Sequence, residues 1–189
     1  MVAKKSTKKT KKTSTKPRTR VSVKKKPESM WKKAVKIIIC IAIPLIVGGL
    51  SAAITGKAMM KFGTFNQPPL SPPAWLFPVA WTILYILMGI AFYLIIAKKP
   101  RNKQDKRNYN IATTIYVVQL IFNFFWSLIF FLAGQYWFAF VWLIVMWLMI
   151  IVLMVYAGRR SKAAVWCLLP YLLWCTFAAY LNLGIALLN

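Results

Sequence analysis

The chain has 189 residues, 60% of them hydrophobic and 15% aromatic, with 26 Lys and Arg against 2 Asp and Glu and no His. A soluble domain is roughly 45–50% apolar and about 25% charged, so this balance excludes an ordinary soluble fold and indicates an integral membrane protein whose bulk is one domain. With Glu28 and Asp105 both in basic polar segments, the apolar body lacks the titratable groups of general acid–base catalysis, carboxylate metal binding and proton relays, and has no intramembrane charge of the kind that marks ion pathways.

Residues 1–33 are dominated by Lys, Thr and Ser, contain Pro17 and Pro27, and show no apolar periodicity. Such a segment buries too little surface to offset its ordering entropy, so a disordered polybasic tail is expected. Beside a membrane helix it would be drawn to anionic lipid head groups, at about 1 kcal/mol per basic residue near the surface, and would set topology. Nucleic-acid binding through the same charge is the weaker reading, because no aromatic precedes Trp31 and no base-reading fold accompanies it. A cleaved targeting peptide is also disfavoured, since the apolar stretch that follows is too long for a signal-peptide core.

The rest, residues 34–189, reads as an all-α five-helix membrane bundle. Residues 34–55 form the first span, along which Gly48 and Ala52, with Gly56 just past its end, make a small-residue face suited to close helix packing. A loop over 56–74 follows, where Pro68, Pro69, Pro72 and Pro73 fix φ and remove donors, giving a stiff connector. The second span covers about 76–97, with Pro78 in its first turn. A polar loop, 98–110, leads to the third span at about 111–133. Barely three residues separate this from the fourth, 136–157, so the two are antiparallel neighbours. The fifth span, 163–188, contains Pro170, expected to kink or locally unwind it.

Loop charge sets the expected orientation. Of the 26 basic residues, 15 lie in residues 1–36, and the clusters at 98–107 and 159–162 join the tail on one side only if the chain crosses five times. The positive-inside rule then places the N-terminus in the cytoplasm and the C-terminus outside.

What chemistry remains is aromatic and amide. Trp75, Trp137 and Trp166 lie near span ends and read as interfacial belt residues, whereas Trp81, Trp126, Trp147 and Trp174 lie deeper, where an indole N–H needs a partner. Gln119, Asn123 and Trp126 share one face of the third helix, Trp81, Tyr85 and Met88 one face of the second, and Trp174, Phe177, Ala178 and Leu181 one face of the fifth. Two readings stay open at this point. Such stripes are often plain core with amides bonded between helices; alternatively they suit a flat, apolar ligand held by stacking. Cys40, Cys167 and Cys175 read as small apolar packing residues, and no metal site is expected.

The strings PPLSPPAWLFPVAWTILYILMG (68–89), QLIFNFFWSLIFF (119–131) and PYLLWCTFAAYLN (170–182) resemble the TspO/MBR family of translocator proteins and tryptophan-rich sensory proteins, over the chain from about residue 40 onward. The resemblance implies a membrane receptor or sensor that binds porphyrins, haem-related tetrapyrroles, sterols or benzodiazepine-type drugs in a pocket opening toward the first loop, with porphyrin or haem as ligand rather than obligatory cofactor. It assigns ligand contacts to Trp75, Phe77, Trp81, Asn123, Trp126, Phe138, Trp174, Phe177, Ala178 and Leu181; spacing adds Tyr85 on the Trp81 face, and the stiff loop of Pro68, Pro69, Pro72 and Pro73 is expected to cover the pocket. The resemblance also implies a multi-pass protein of the bacterial plasma membrane able to form a homodimer. In the alternatives the chain is a weak light-dependent porphyrin-degrading enzyme, with Trp81 and Trp174 as the photochemical residues, or a passive carrier of apolar ligands. Departures from the family pattern are Leu70 where Trp is common, Thr114 and Val118 in place of a Gly-x-x-x-Gly pair, and the absence of a basic residue after Tyr180.

Overall fold

The computed structural model describes residues 29–189, so the expectations for residues 1–28 lie outside the described residues. Five helices follow one another: α1 (Met30–Met59), α2 (Leu76–Ile96), α3 (Lys103–Ser127), α4 (Tyr136–Gly158) and α5 (Lys162–Leu188). A 3-10 turn over Met60–Thr64 extends α1, and a π turn over Leu128–Leu132 extends α3. All five are long and apolar enough to cross a membrane, and the chain is an all-α, multi-pass membrane protein.

The helices close a ring in which α1 packs on α2 and α3, α2 on α5, α5 on α4, and α4 on α3. Helical phase explains which faces turn inward. On α4, Ala139, Leu143, Met146, Ile150, Leu153 and Ala157 recur every three or four residues and are buried. Val141, Val145, Leu148, Val152 and Val155, offset around the same helix, are exposed apolar side chains facing where lipid would lie. No hydrophobic force separates these faces in a bilayer; close van der Waals packing does. Glycines permit the closest approach. A Cβ on Gly89 would meet the backbone of α1, 2.7 Å from the Cys40 carbonyl oxygen, and one on Gly48 would run into the Tyr85 ring. The small-residue face of α1 is thus used for internal packing at Gly48, while Gly49 meets nothing.

Two expectations about the elements need correction, and a third is narrowed. α1 begins at Met30 rather than at residue 34 and, with its 3-10 turn, runs to Thr64, so the first loop starts at Phe65 and not at residue 56. The polar segment expected as a loop over 98–110 is helical from Lys103, because the Asn102 side chain accepts the Asp105 N–H at 2.8 Å and caps the helix before its apolar run begins. In α5 the helix runs continuously through Pro170, so of the two expected effects, a kink or a local unwinding, the unwinding does not occur. Opening a turn in lipid would free groups that no water can satisfy, which costs more than the single bond that proline removes. Between α3 and α4 the short expected connection holds, with Gly134 at φ 63 supplying the left-handed turn.

Candidate functional site

The aromatic faces of α2 and α3 converge on α1, and α5 packs against them through Tyr171, Trp174 and Asn182. A small cavity of about 70 Å³ lies among Gly48, Ser51 and Thr55 of α1, Phe77, Trp81 and Tyr85 of α2, Trp126 of α3 and Phe131 of the π turn. Trp81 stacks on Tyr85, centroids 5.4 Å apart at 29°, and presents its edge to Tyr171. Behind the Trp81–Tyr85 pair runs a buried polar relay. Tyr85 Oη donates to Asn123 Oδ1 at 2.6 Å, Asn123 Nδ2 donates to Tyr171 Oη at 3.2 Å, and Tyr171 Oη donates to Gln119 Oε1 at 2.8 Å. Trp126 Nε1 donates to Asn182 Oδ1 at 3.2 Å, and Asn182 Nδ2 passes on to the Tyr136 carbonyl at 2.9 Å. The amides therefore serve as bonds between helices, satisfying groups that hydrocarbon would leave unpaired.

A groove of about 420 Å³ runs between α2 and α5, lined by Leu84, Pro170, Trp174 and Phe177 among others. Phe77 meets Trp174 edge to face at 6.1 Å, and Trp174 meets Phe177 at 5.9 Å. The Trp174 indole N–H is buried and has no acceptor. Ligand pockets for small organic molecules hold about 300–1,000 Å³. The inner cavity alone falls short of that range, and the outer groove falls within it; Phe77 of the first touches Trp174 of the second.

The proline segment is fastened over this end of the bundle. Pro68 is buried, and a Cβ on Gly184 of α5 would sit 2.5 Å from its ring. Tyr180 Oη donates to the Pro69 carbonyl at 2.7 Å, and Asn66 and Asn189 exchange hydrogen bonds at 3.1 and 2.9 Å. At the tip, Leu70 takes φ 67 directly after Pro69, the arrangement of a type II turn whose third position normally holds Gly.

The TspO/MBR family model matches residues 40–188, nearly the whole described chain. This chain belongs to the TspO/MBR family. It is 36% identical over 166 residues to the tryptophan-rich protein TspO of Chlorobaculum tepidum, a match covering 85% of this chain and 99% of that one. It is 35% identical over 160 residues to the TspO protein of Archaeoglobus fulgidus, covering 82% and 97% respectively. The translocator protein of Ovis aries is 32% identical over 129 residues, 68% of this chain and 75% of its own.

Within this TspO/MBR fold the expected contacts divide into groups. Phe77, Trp81, Tyr85 and Trp126 line the inner cavity together. Trp174 and Phe177 stand in the outer groove, while Ala178 and Leu181 are buried in the core. Asn123 is 2% exposed and spends its amide on two tyrosines, so it positions the wall and does not face the cavity. Two residues fall outside. Trp75, 66% exposed, caps α2 at the surface, and Phe138, 54% exposed, precedes the buried Ala139 by one residue and so points about 100° away from the core. Of the cover, Pro68 and Pro69 are docked on α5, and Pro73 is exposed, its carbonyl accepting the Leu76 N–H at 2.9 Å. Pro72 is half-buried.

The wall supplied by α1, Ser51 and Thr55 with Gly48, was not anticipated as site. Its signal was present in the small residues at 48, 51, 52 and 55, which share one face, but that pattern reads equally as a packing seam. Phe131 was missed because the π turn rotates it inward; a regular helix would not bring Phe130 and Phe131 both against Trp126, as found at 5.4 and 6.2 Å.

Proposed function

We propose that this TspO/MBR protein is a membrane receptor or sensor for flat, largely apolar tetrapyrroles of the protoporphyrin IX type, bound where the inner cavity and the outer groove would merge on displacement of Phe77. The observation that supports this most is the contact of Phe77, which lines the inner cavity with Trp81 and Trp126, with Trp174, which lines the outer groove with Phe177. Displacing Phe77 would expose stacking surfaces in both. The unpartnered Trp174 N–H would then gain an acceptor, a pyrrole nitrogen or a propionate oxygen. Stacking would supply most of the affinity, since the amides nearby are already engaged. In the same reading the chain sits in a plasma membrane with its N-terminus cytoplasmic, as loop charge directs.

Titration of the purified protein with protoporphyrin IX, followed by quenching of tryptophan fluorescence, tests the reading. Saturable quenching that weakens in Trp81→Phe and Trp174→Phe is expected; non-saturable quenching overturns it.

A second reading is favoured by one feature: Trp81 lines the inner cavity beside Phe77, and Phe77 touches the indole of Trp174. In a merged pocket Trp81 and Trp174 would both face the ligand ring and could donate electrons to its photoexcited state. Under illumination the wild-type protein would then bleach bound porphyrin faster than the two Phe variants at equal occupancy. Equal rates exclude this role and leave the receptor reading intact.

A further inference from the structure

A polar cavity of about 340 Å³ lies at the other end of the bundle, bordered by the α2–α3 connection, the first turns of α3 and the α4–α5 turn. Four basic side chains and one acid line it: Lys98, Arg101, Arg159, Arg160 and Asp105. The acid is fully committed. Asp105 Oδ1 receives Arg160 Nη1 at 2.5 Å, and its Oδ2 receives the Arg101 backbone N–H at 2.9 Å. Arg160 is committed as well, since its side chain is 3% exposed and its remaining N–H groups go to the carbonyls of Ile95, at 3.2 Å, and Lys98. This pair is an internal brace between the two loops.

The brace leaves Lys98, Arg101 and Arg159 facing the cavity with no acid to pair with among the described residues. Arg159 makes one long contact, Nη1 to Asn108 Oδ1 at 3.4 Å, and lies over the Tyr156 ring at 4.8 Å, so most of its guanidinium fork stays available. The N-terminal end of α3, which opens beside the cavity, adds positive partial charge. Depth matters too. The cavity lies where α2 ends at Ile96 and α4 ends at Gly158, at the level where apolar stretches give way to head groups.

We propose that this cavity binds a phosphate oxyanion, held by the Arg159 fork and the Lys98 and Arg101 charges over the Arg160–Asp105 brace. A planar guanidinium matches two phosphate oxygens, and basic pockets between spanning helices at the head-group level are suited to anionic lipid. The same chemistry is offered by a lipid phosphodiester and by free phosphate, and the experiment separates them.

The full-length protein in detergent is exchanged against phosphatidylglycerol or phosphatidylcholine, and retained lipid is measured by native mass spectrometry, with and without inorganic phosphate as competitor. Phosphatidylglycerol is expected to be retained in preference. Each of Lys98→Gln, Arg101→Gln and Arg159→Gln should weaken it about 5-fold and the triple variant on the order of 100-fold. A control that removes equal charge from the tail, Lys4→Gln with Lys5→Gln and Lys8→Gln, should change it less than about 2-fold. Displacement by millimolar inorganic phosphate identifies a site for free phosphate as well; no displacement identifies a head-group site, and both support the proposal. Retention unchanged in the single and triple variants, or lost equally in the tail control, overturns it. The single variants keep the brace intact, so the test survives if the triple variant does not fold.

Discussion

Phe77 of the inner aromatic cavity and Trp174 of the groove between α2 and α5 meet edge to face with centroids 6.1 Å apart and planes at 75°. Phe77→Ala should join the two spaces. The expected outcome is faster and tighter tryptophan quenching by protoporphyrin IX, with the thermal midpoint lowered by the loss of a buried ring, a cost of about 3 kcal/mol at a site already bordering a cavity. Stopped-flow quenching and thermal unfolding in detergent measure the two effects. Slower or weaker quenching in a folded variant would show that the ring itself is a contact.

Gly89→Ala and Gly49→Ala form a contrasted pair. The first drives a methyl group into the α1 backbone, which cannot yield as a side chain tip can, and should cost about 1–3 kcal/mol by separating α1 from α2. The second meets nothing and should be neutral or gain up to about 1 kcal/mol from helix propensity. Thermal unfolding of both in one detergent checks the difference, which is more informative than either value.

Tyr171 is the hub of the buried relay, bonded to Asn123 and Gln119 and fully enclosed. Tyr171→Phe keeps the ring but strands the Gln119 oxygen and one Asn123 N–H. A loss of about 1–2 kcal/mol is expected, the upper part of the range for bonds between membrane helices because two partners are orphaned. Ligand affinity should fall little, since neither amide lines the cavity. A large fall in affinity at unchanged stability would return Asn123 to the binding surface.

Arg160→Lys tests the brace at the basic end. An ammonium group cannot reach Asp105, Ile95 and Lys98 together as the guanidinium does, so the variant should unfold at lower temperature and its α2–α3 connection should exchange amide hydrogens faster. Equal protection in both proteins would show that the loops are held by other contacts.

How far residues reveal such a molecule depends on the length scale of the signal. Five spans were legible because twenty apolar residues in succession have few other meanings, and the inward phase of Trp81, Tyr85 and Trp126 followed from spacing alone. The start of α3 was hidden, since Lys103–Asn110 carries no apolar period, although Asn102 and Asp105 held the capping signature. Trp75 and Phe138 were assigned by likeness to the family and not by helical phase, and phase places Phe138 outward. The contact of Phe77 with Trp174 was beyond reach, because it depends on packing between helices distant in sequence.

Tyr180, Gly184 and Asn189 fasten the proline segment to the last turns of α5. With that end shut, a ligand reaching the groove between α2 and α5 would arrive sideways, from the hydrocarbon phase. Occupancy would then follow the mole fraction of ligand dissolved in the bilayer, so that two compounds of equal aqueous concentration and equal fit would fill the protein in proportion to their partition coefficients. Tyr180→Phe, which releases the Pro69 carbonyl, should add an aqueous route and make binding less sensitive to the amount of lipid present, a change that titration at several lipid-to-protein ratios would read directly.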